Sequence, residues 1–182
     1  ANVFLHNYGS LRFRGDATFI RNEYIVISNE GGTVRVDGDT VFEVNGRSFD
    51  GHNGGAISNK YGGTAIFRGL ATFTNNWCDG NGGGVFNGPD SKITFYKKAG
   101  FYDNTCRGGD GGGFDNYGGD IKFRGSVVVS GNQANSNGGG VGTGGGGTTT
   151  FYGWTTIKSN TAYLGAGGLS VYRKSYQRTV AL

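Results

Sequence analysis

A tetrapeptide of one apolar residue, two variable positions and Asn recurs six times in this chain of 182 residues. It stands at Phe19–Asn22, Phe42–Asn45, Phe73–Asn76, Phe101–Asn104, Val129–Asn132 and Ile157–Asn160, which spaces the Asn positions by 23, 31, 28, 28 and 28 residues. Six residues before each apolar member stands another: Phe13, Val36, Phe67, Phe95, Phe123 and Phe151. A third register follows the glycine clusters Gly54-Gly55-Ala56-Ile57, Gly82-Gly83-Gly84-Val85, Gly111-Gly112-Gly113-Phe114, Gly138-Gly139-Gly140-Val141 and Ala166-Gly167-Gly168-Leu169. Two residues past the apolar member comes a second Asn series, Asn59, Asn87 and Asn116. It extends upstream to Asn29 and Asn7 and lapses at Thr143 and Val171. Three registers sharing one period near 28 residues identify an internal repeat.

The physics of such a repeat is restrictive. Each unit holds three short β segments with period-2 alternation, separated by Gly, Asn and Asp turns that accept positive φ. Helices are excluded by 39 Gly against only six Leu, since each interior Gly costs a helix about 1 kcal/mol relative to Ala. Collagen is excluded because Gly does not fall at every third position and there is one Pro. No apolar run approaches the roughly 20 residues of a membrane-spanning helix, and no signal-peptide pattern opens the chain. With no Met, the chain reads as a processed product or a fragment. One unit cannot bury its own apolar face, but stacked units place like residues about 4.8 Å apart in parallel ladders. The Phe13–Phe151 series then becomes an interior aromatic ladder, and the Asn series become amide ladders that satisfy buried turn backbone. Parallel strands without helical crossovers predict an all-β, parallel β-helix, right-handed because irregular turn lengths suit that hand. The expectation is a single domain over 1–182, with partial coils at its ends and about six coils of three strands, in a rod of roughly 30 Å.

A Gly-Gly-Ala-Ile motif paired with a Phe-x-x-Asn motif once per coil resembles the repeats of the polymorphic outer membrane proteins of chlamydiae, with similar repeats in other bacterial surface proteins and in algal proteins. The likeness covers nearly the whole chain, and Gly54–Ile57 with Phe73–Asn76 is its cleanest unit. It implies a secreted or cell-surface β-helical passenger that acts in adhesion. This chain departs from it with Gly for Ala in three clusters, and with Val or Ile for Phe in the last two tetrapeptides.

In a solenoid the repeated residues build the rod, so function is sought in what does not repeat. The turn between each Phe-x-x-Asn and the next glycine cluster varies most. It is nearly absent after Asn22, longest at Gly46–Asn53, and carries Trp77-Cys78-Asp79 and Thr105-Cys106-Arg107 in successive coils. Cys78 and Cys106 each follow the ladder Asn by two residues, which places them one coil apart and within disulfide range. They read as a stacked thiol pair or a coil-to-coil bridge. Covalent attachment of a prosthetic group to an exposed thiol is a third reading. No other cofactor and no metal site is indicated, since His6 and His52 are out of register with each other and no CxxC pattern is present.

The residue after the inner aromatic ladder points outward. It reads Arg14, Asp37, Arg68, Tyr96, Arg124 and Tyr152, flanked by Arg12, Arg35 and Lys122 at the neighbouring outward position. The C-terminal segment adds Arg173, Lys174 and Arg178. This basic and aromatic stripe fits a plain solvated face, and it also fits a docking surface for an acidic protein or an anionic glycan. Nucleic acid is the weakest partner, because a net charge of +4 with 13 acidic residues is modest for phosphate binding. Arg14-Gly15-Asp16 spells an integrin-type tripeptide, but it lies within a Phe-Arg-Gly that recurs at Phe67–Gly69 and Phe123–Gly125, so coil geometry accounts for two of its letters.

Polysaccharide hydrolysis or lyase chemistry would need paired or clustered carboxylates on one face. In register the acids scatter: Asp103 lies between Asn75 and Gly131, Asp115 between Phe86 and Gly142, and Asp37 between Arg14 and Arg68. The chain is therefore expected to be a non-catalytic interaction module, adhesin-like or scaffold-like, with a polysaccharide-active enzyme as the minor reading. The alternative setting is a linker subunit among acidic partners in a large assembly, such as an algal light-harvesting antenna in a plastid.

Overall fold

The computed structural model describes residues 5–46 and 51–172. The described residues form a parallel β-solenoid of about five turns, near 28 residues each, without a helix. Four parallel sheets run along it. Sheet 1 stacks Leu5–Asn7, Ile27–Glu30, Ile57–Lys60, Val85–Asn87, Phe114–Tyr117, Val141–Gly144 and Leu169–Tyr172. Sheet 2 stacks Ser10–Phe13, Thr33–Val36, Thr64–Phe67, Lys92–Phe95, Asp120–Phe123 and Thr148–Phe151. Sheet 3 stacks Ala17–Ile20, Thr40–Glu43, Ala71–Thr74, Ala99–Tyr102, Val127–Ser130 and Thr155–Lys158. Sheet 4 was not anticipated. It consists of the two-residue strands Trp77–Cys78, Thr105–Cys106, Gln133–Ala134 and Thr161–Ala162, so four coils carry four strands instead of three. Such short strands have no periodicity for a sequence to display.

The expected registers are the ones that pair. Phe13, Val36, Phe67, Phe95, Phe123 and Phe151 form one ladder. Phe19, Phe42, Phe73, Phe101, Val129 and Ile157 form the other. Within each ladder the rings stack nearly parallel: Phe42 and Phe73 at 5.0 Å and 3°, Phe95 and Phe123 at 4.9 Å and 4°. Between ladders they meet edge to face, as in Phe73 against Phe95 at 6.1 Å and 87°. Each such pair contributes about 0.5–1.5 kcal/mol beyond the area it buries.

Backbone turns are satisfied by amides. Asn7, Asn29, Asn59 and Asn87 each donate from Nδ2 to Oδ1 of the next Asn at 2.7–2.9 Å, and the ladder ends at Asn116, whose Nδ2 donates to the Thr148 carbonyl and to Thr149 Oγ1. In the Phe-x-x-Asn series, both the backbone N–H and Nδ2 of one Asn donate to Oδ1 of the next coil, while Nδ2 also reaches back to the Phe carbonyl one coil earlier. A third ladder, Asn53, Asn81, Asp110 and Asn137, precedes the glycine clusters and follows the same logic. The clusters themselves have two separate demands. Gly54, Gly82, Gly111 and Gly138 take φ between 62° and 76°. The next glycine in each cluster has no room for a side chain, because a Cβ at Gly55, Gly83 or Gly112 would collide with a carbonyl of the following coil.

Candidate interaction surfaces

Sheets 2 and 3 alternate between buried and outward residues, which is the expected pattern. On the outer face of sheet 2 the described residues of the expected stripe fall into two parts. In the first, Asp37 gathers arginines from three coils. Arg12 Nη2 lies 2.6 Å from Oδ2, Arg35 Nε donates to Oδ1 at 2.6 Å, and Arg68 Nε stands 3.9 Å from Oδ1. Hydrogen bonds from Arg35 and then Arg12 hold the Asp37 carboxyl below its ordinary range. Arg12 and Arg35 are therefore largely spent on Asp37.

The second part is a cation–π stack. Arg68 and Arg124 each lie 5.6 Å from the centre of the Tyr96 ring, and Arg124 also lies 5.7 Å from that of Tyr152. All four side chains are exposed. Lys122 is exposed on the adjacent row and Arg14 at the start of the stripe, with Lys97 and Lys98 in the turn beyond Tyr96. Among the described residues no carboxylate lies within ion-pair distance of Arg14, Lys97, Lys98, Lys122 or Arg124. A guanidinium held over ring faces keeps its in-plane N–H donors available for bidentate contact with a carboxylate. Arg173, Lys174 and Arg178 lie outside the described residues.

Cys78 and Cys106 are register partners in sheet 4 and are free thiols. Both are buried, at 2% and 1% exposure, so neither is the exposed thiol that covalent attachment of a group requires. Cys106 Sγ lies 2.8 Å from the Gly80 carbonyl and accepts from Gly109 N–H at 3.2 Å. Hydrogen bonding with Cys106, and then burial, push the Cys78 thiol well up, so that thiol is a poor nucleophile at neutral pH. The stacked-thiol reading describes this corner.

Sheet 1 breaks the alternation. Its outward row includes Ser28, Ser58, Phe86 and Asp115, yet all four are buried, because turns on both sides rise over the sheet and make it the floor of a trench. At one end Glu30 accepts from His6 at 3.1 Å, Lys60 at 3.0 Å and Ser28 at 3.3 Å. Those hydrogen bonds, His6 first and Lys60 second, bring its pKa down to about 2, which is the opposite of what a general acid needs. At the other end the Tyr172 hydroxyl donates to Asp115 Oδ1 at 2.8 Å. Burial, then Asp115 and Asp110, push that phenol above its ordinary value.

The register neighbours expected for Asp115, namely Phe86 and Gly142, are those observed. What sequence reasoning missed is that Tyr172 brings together Asp110, from the turn before a glycine cluster, and Asp115, from the sheet 1 strand of the same coil. The signal was present in the glycines that flank Thr143: Gly144 leaves the lane in which the Tyr172 ring lies, and Gly142 leaves room for the Asp115 carboxylate. No group of three His, Cys, Asp or Glu able to hold a metal ion occurs among the described residues. No helix among them is long and apolar enough to cross a membrane. In comparisons with known proteins, no family model, no curated protein and no solved structure matches this chain.

Proposed function

We propose that this chain is a non-catalytic docking module that engages an acidic protein through the outer face of sheet 2. The observation that supports the reading is the exposed Arg68–Tyr96–Arg124–Tyr152 stack, with Lys122, Lys97 and Lys98 beside it and, among the described residues, no carboxylate within ion-pair distance of Arg124 or these lysines. Arginine and tyrosine are the residues that carry most binding energy at protein interfaces, and a flat β face presents them at a fixed spacing.

The setting is part of the proposal. The likeness to chlamydial surface repeats supports a secreted or cell-surface adhesin. The sequence pI of about 9.1 supports the second setting, a linker among acidic subunits of a large assembly such as a plastid antenna. Affinity capture from native extract, run at low and high salt, tests both. A protein retained in fixed stoichiometry at low salt and released at high salt supports docking through charge. Capture of an anionic glycan or whole cells in place of a protein would overturn the acidic-protein reading and favour the adhesin setting.

A further inference from the structure

The trench over sheet 1 contains a cavity of about 280 Å³, close to the small end of ligand pockets. One wall is the third amide ladder, with Asn53, Asn81 and Asp110. The other is aromatic, with Phe86, Tyr117 and Tyr172. The aromatic wall exists because one coil, with Gly142 and Gly144 at its outward positions, lacks outward side chains there. Tyr172 lies across Gly144, where a Cβ would strike its ring, and reaches Asp115 in the coil before.

Asp110 is the informative residue. Its ladder position is Asn53 and Asn81 in the two coils before it and Asn137 in the coil after, and the ladder asks of it only what an Asn supplies. Its N–H donates to Asn81 Oδ1 at 2.9 Å, and its Oδ1 accepts from the backbone and side-chain amides of Asn137 at 2.8 and 3.1 Å. The repeat therefore does not account for the carboxylate, which appears only in the coil that faces the aromatic wall. Asp110 is half-buried, and among the described residues no Lys or Arg comes within ion-pair distance of it. A partly desolvated carboxylate without a cation, which lines one cavity with three aromatic rings and has the Tyr172 hydroxyl as its neighbour, is the complement of a positively charged organic group. A divalent metal would demand more oxygen ligands than converge there.

We propose that this cavity binds an alkylammonium ion, with the cation between the Asp110 carboxylate and the faces of Phe86, Tyr117 and Tyr172. The ion belongs either to a free amine or to a lysine side chain presented by another molecule. This site is on a different face from the stripe and does not depend on it.

The test is amide NMR of the intact chain titrated with n-butylammonium chloride and with N-acetyl-lysine methylamide, against sodium chloride, 1-butanol and glucose. Saturable shifts at Asn81, Asp110, Tyr117 and Tyr172 with the ammonium probes alone are expected. Tighter binding of the lysine derivative identifies a lysine side chain as the source, and tighter binding of butylammonium a free amine. Asp110→Asn, which keeps the residue its neighbouring coils use, should weaken binding at least about tenfold, since it removes a charge-assisted hydrogen bond. Tyr117→Leu should weaken it about three- to tenfold by removing a cation–π face. Absence of saturable shifts would overturn the proposal. So would equal binding of 1-butanol or glucose, or an Asp110→Asn protein that binds as well as the wild type.

Discussion

The residue before each Phe-x-x-Asn asparagine occupies the left-handed region in every coil: Arg21, Val44, Asn75, Asp103, Gly131 and Ser159 have φ between 52° and 71°. Sequence alignment treats this position as variable, because only its backbone is shared and six different residues fill it. Val44 is the costly one, since a β-branched residue held there stores about 1–3 kcal/mol of strain. Val44→Asn should therefore stabilise the chain by about 1 kcal/mol, visible as a higher melting temperature; an unchanged or lower value would count against this account of the turn. Glu30 makes a second prediction at this scale. Its folded pKa of about 2 lies below the ordinary 4.5, so the ionised form is the one that stabilises the fold. That contribution is complete above about pH 4.5 and is lost as pH falls from there toward 2. Asp37, also lowered, acts in the same direction. Melting temperatures across that window should fall less steeply for Glu30→Gln than for the wild type. Parallel slopes would show that Glu30 is not so held.

Ladders are the units of stability at the scale of the element, and they were legible to different degrees. The Phe and the two main Asn ladders could be read because bulky or amide side chains recur at a fixed offset within strands. The third amide ladder could not, because Asn53, Asn81, Asp110 and Asn137 mix Asn with Asp beside glycines and so look like ordinary turn composition. The trench was hidden for another reason. Alternation tells which side of a strand Ser58 or Phe86 takes, but the walls that bury it come from turns elsewhere in each coil. Asn104 shows what a ladder contributes. Its Oδ1 accepts from the N–H and Nδ2 of Asn76, and its Nδ2 bonds Asn132 and the Phe73 carbonyl, all buried. Asn104→Ala would orphan several of these at once and should destabilise by about 3–5 kcal/mol. Asn160, partly exposed in the last described coil, should cost well under half as much on the same change. Equal losses in chemical denaturation would contradict the ladder as a chain of buried amides.

For the whole molecule, the faces of one rod carry different chemistry. Sheet 2 faces outward with arginine, lysine and tyrosine. Sheet 1 is roofed into a trench that carries the carboxylates Glu30, Asp110 and Asp115. Sheet 4 is a corner of small side chains, Cys78, Cys106 and Ala134. The stripe was legible as a row of outward residues because it repeats with the coil. That Asp37 would hold Arg12 and Arg35, and that Arg124 would sit beside two rings, depends on side-chain reach and not on the period. The most direct measurement is partner capture at low salt by wild type, by Arg68→Glu with Arg124→Glu, and by a control with equal charge change, Arg107→Glu with Lys158→Glu, all matched for melting temperature. The account predicts that the control retains the partner and the stripe variant loses it. Retention by the stripe variant, or equal loss from both, would contradict docking through sheet 2.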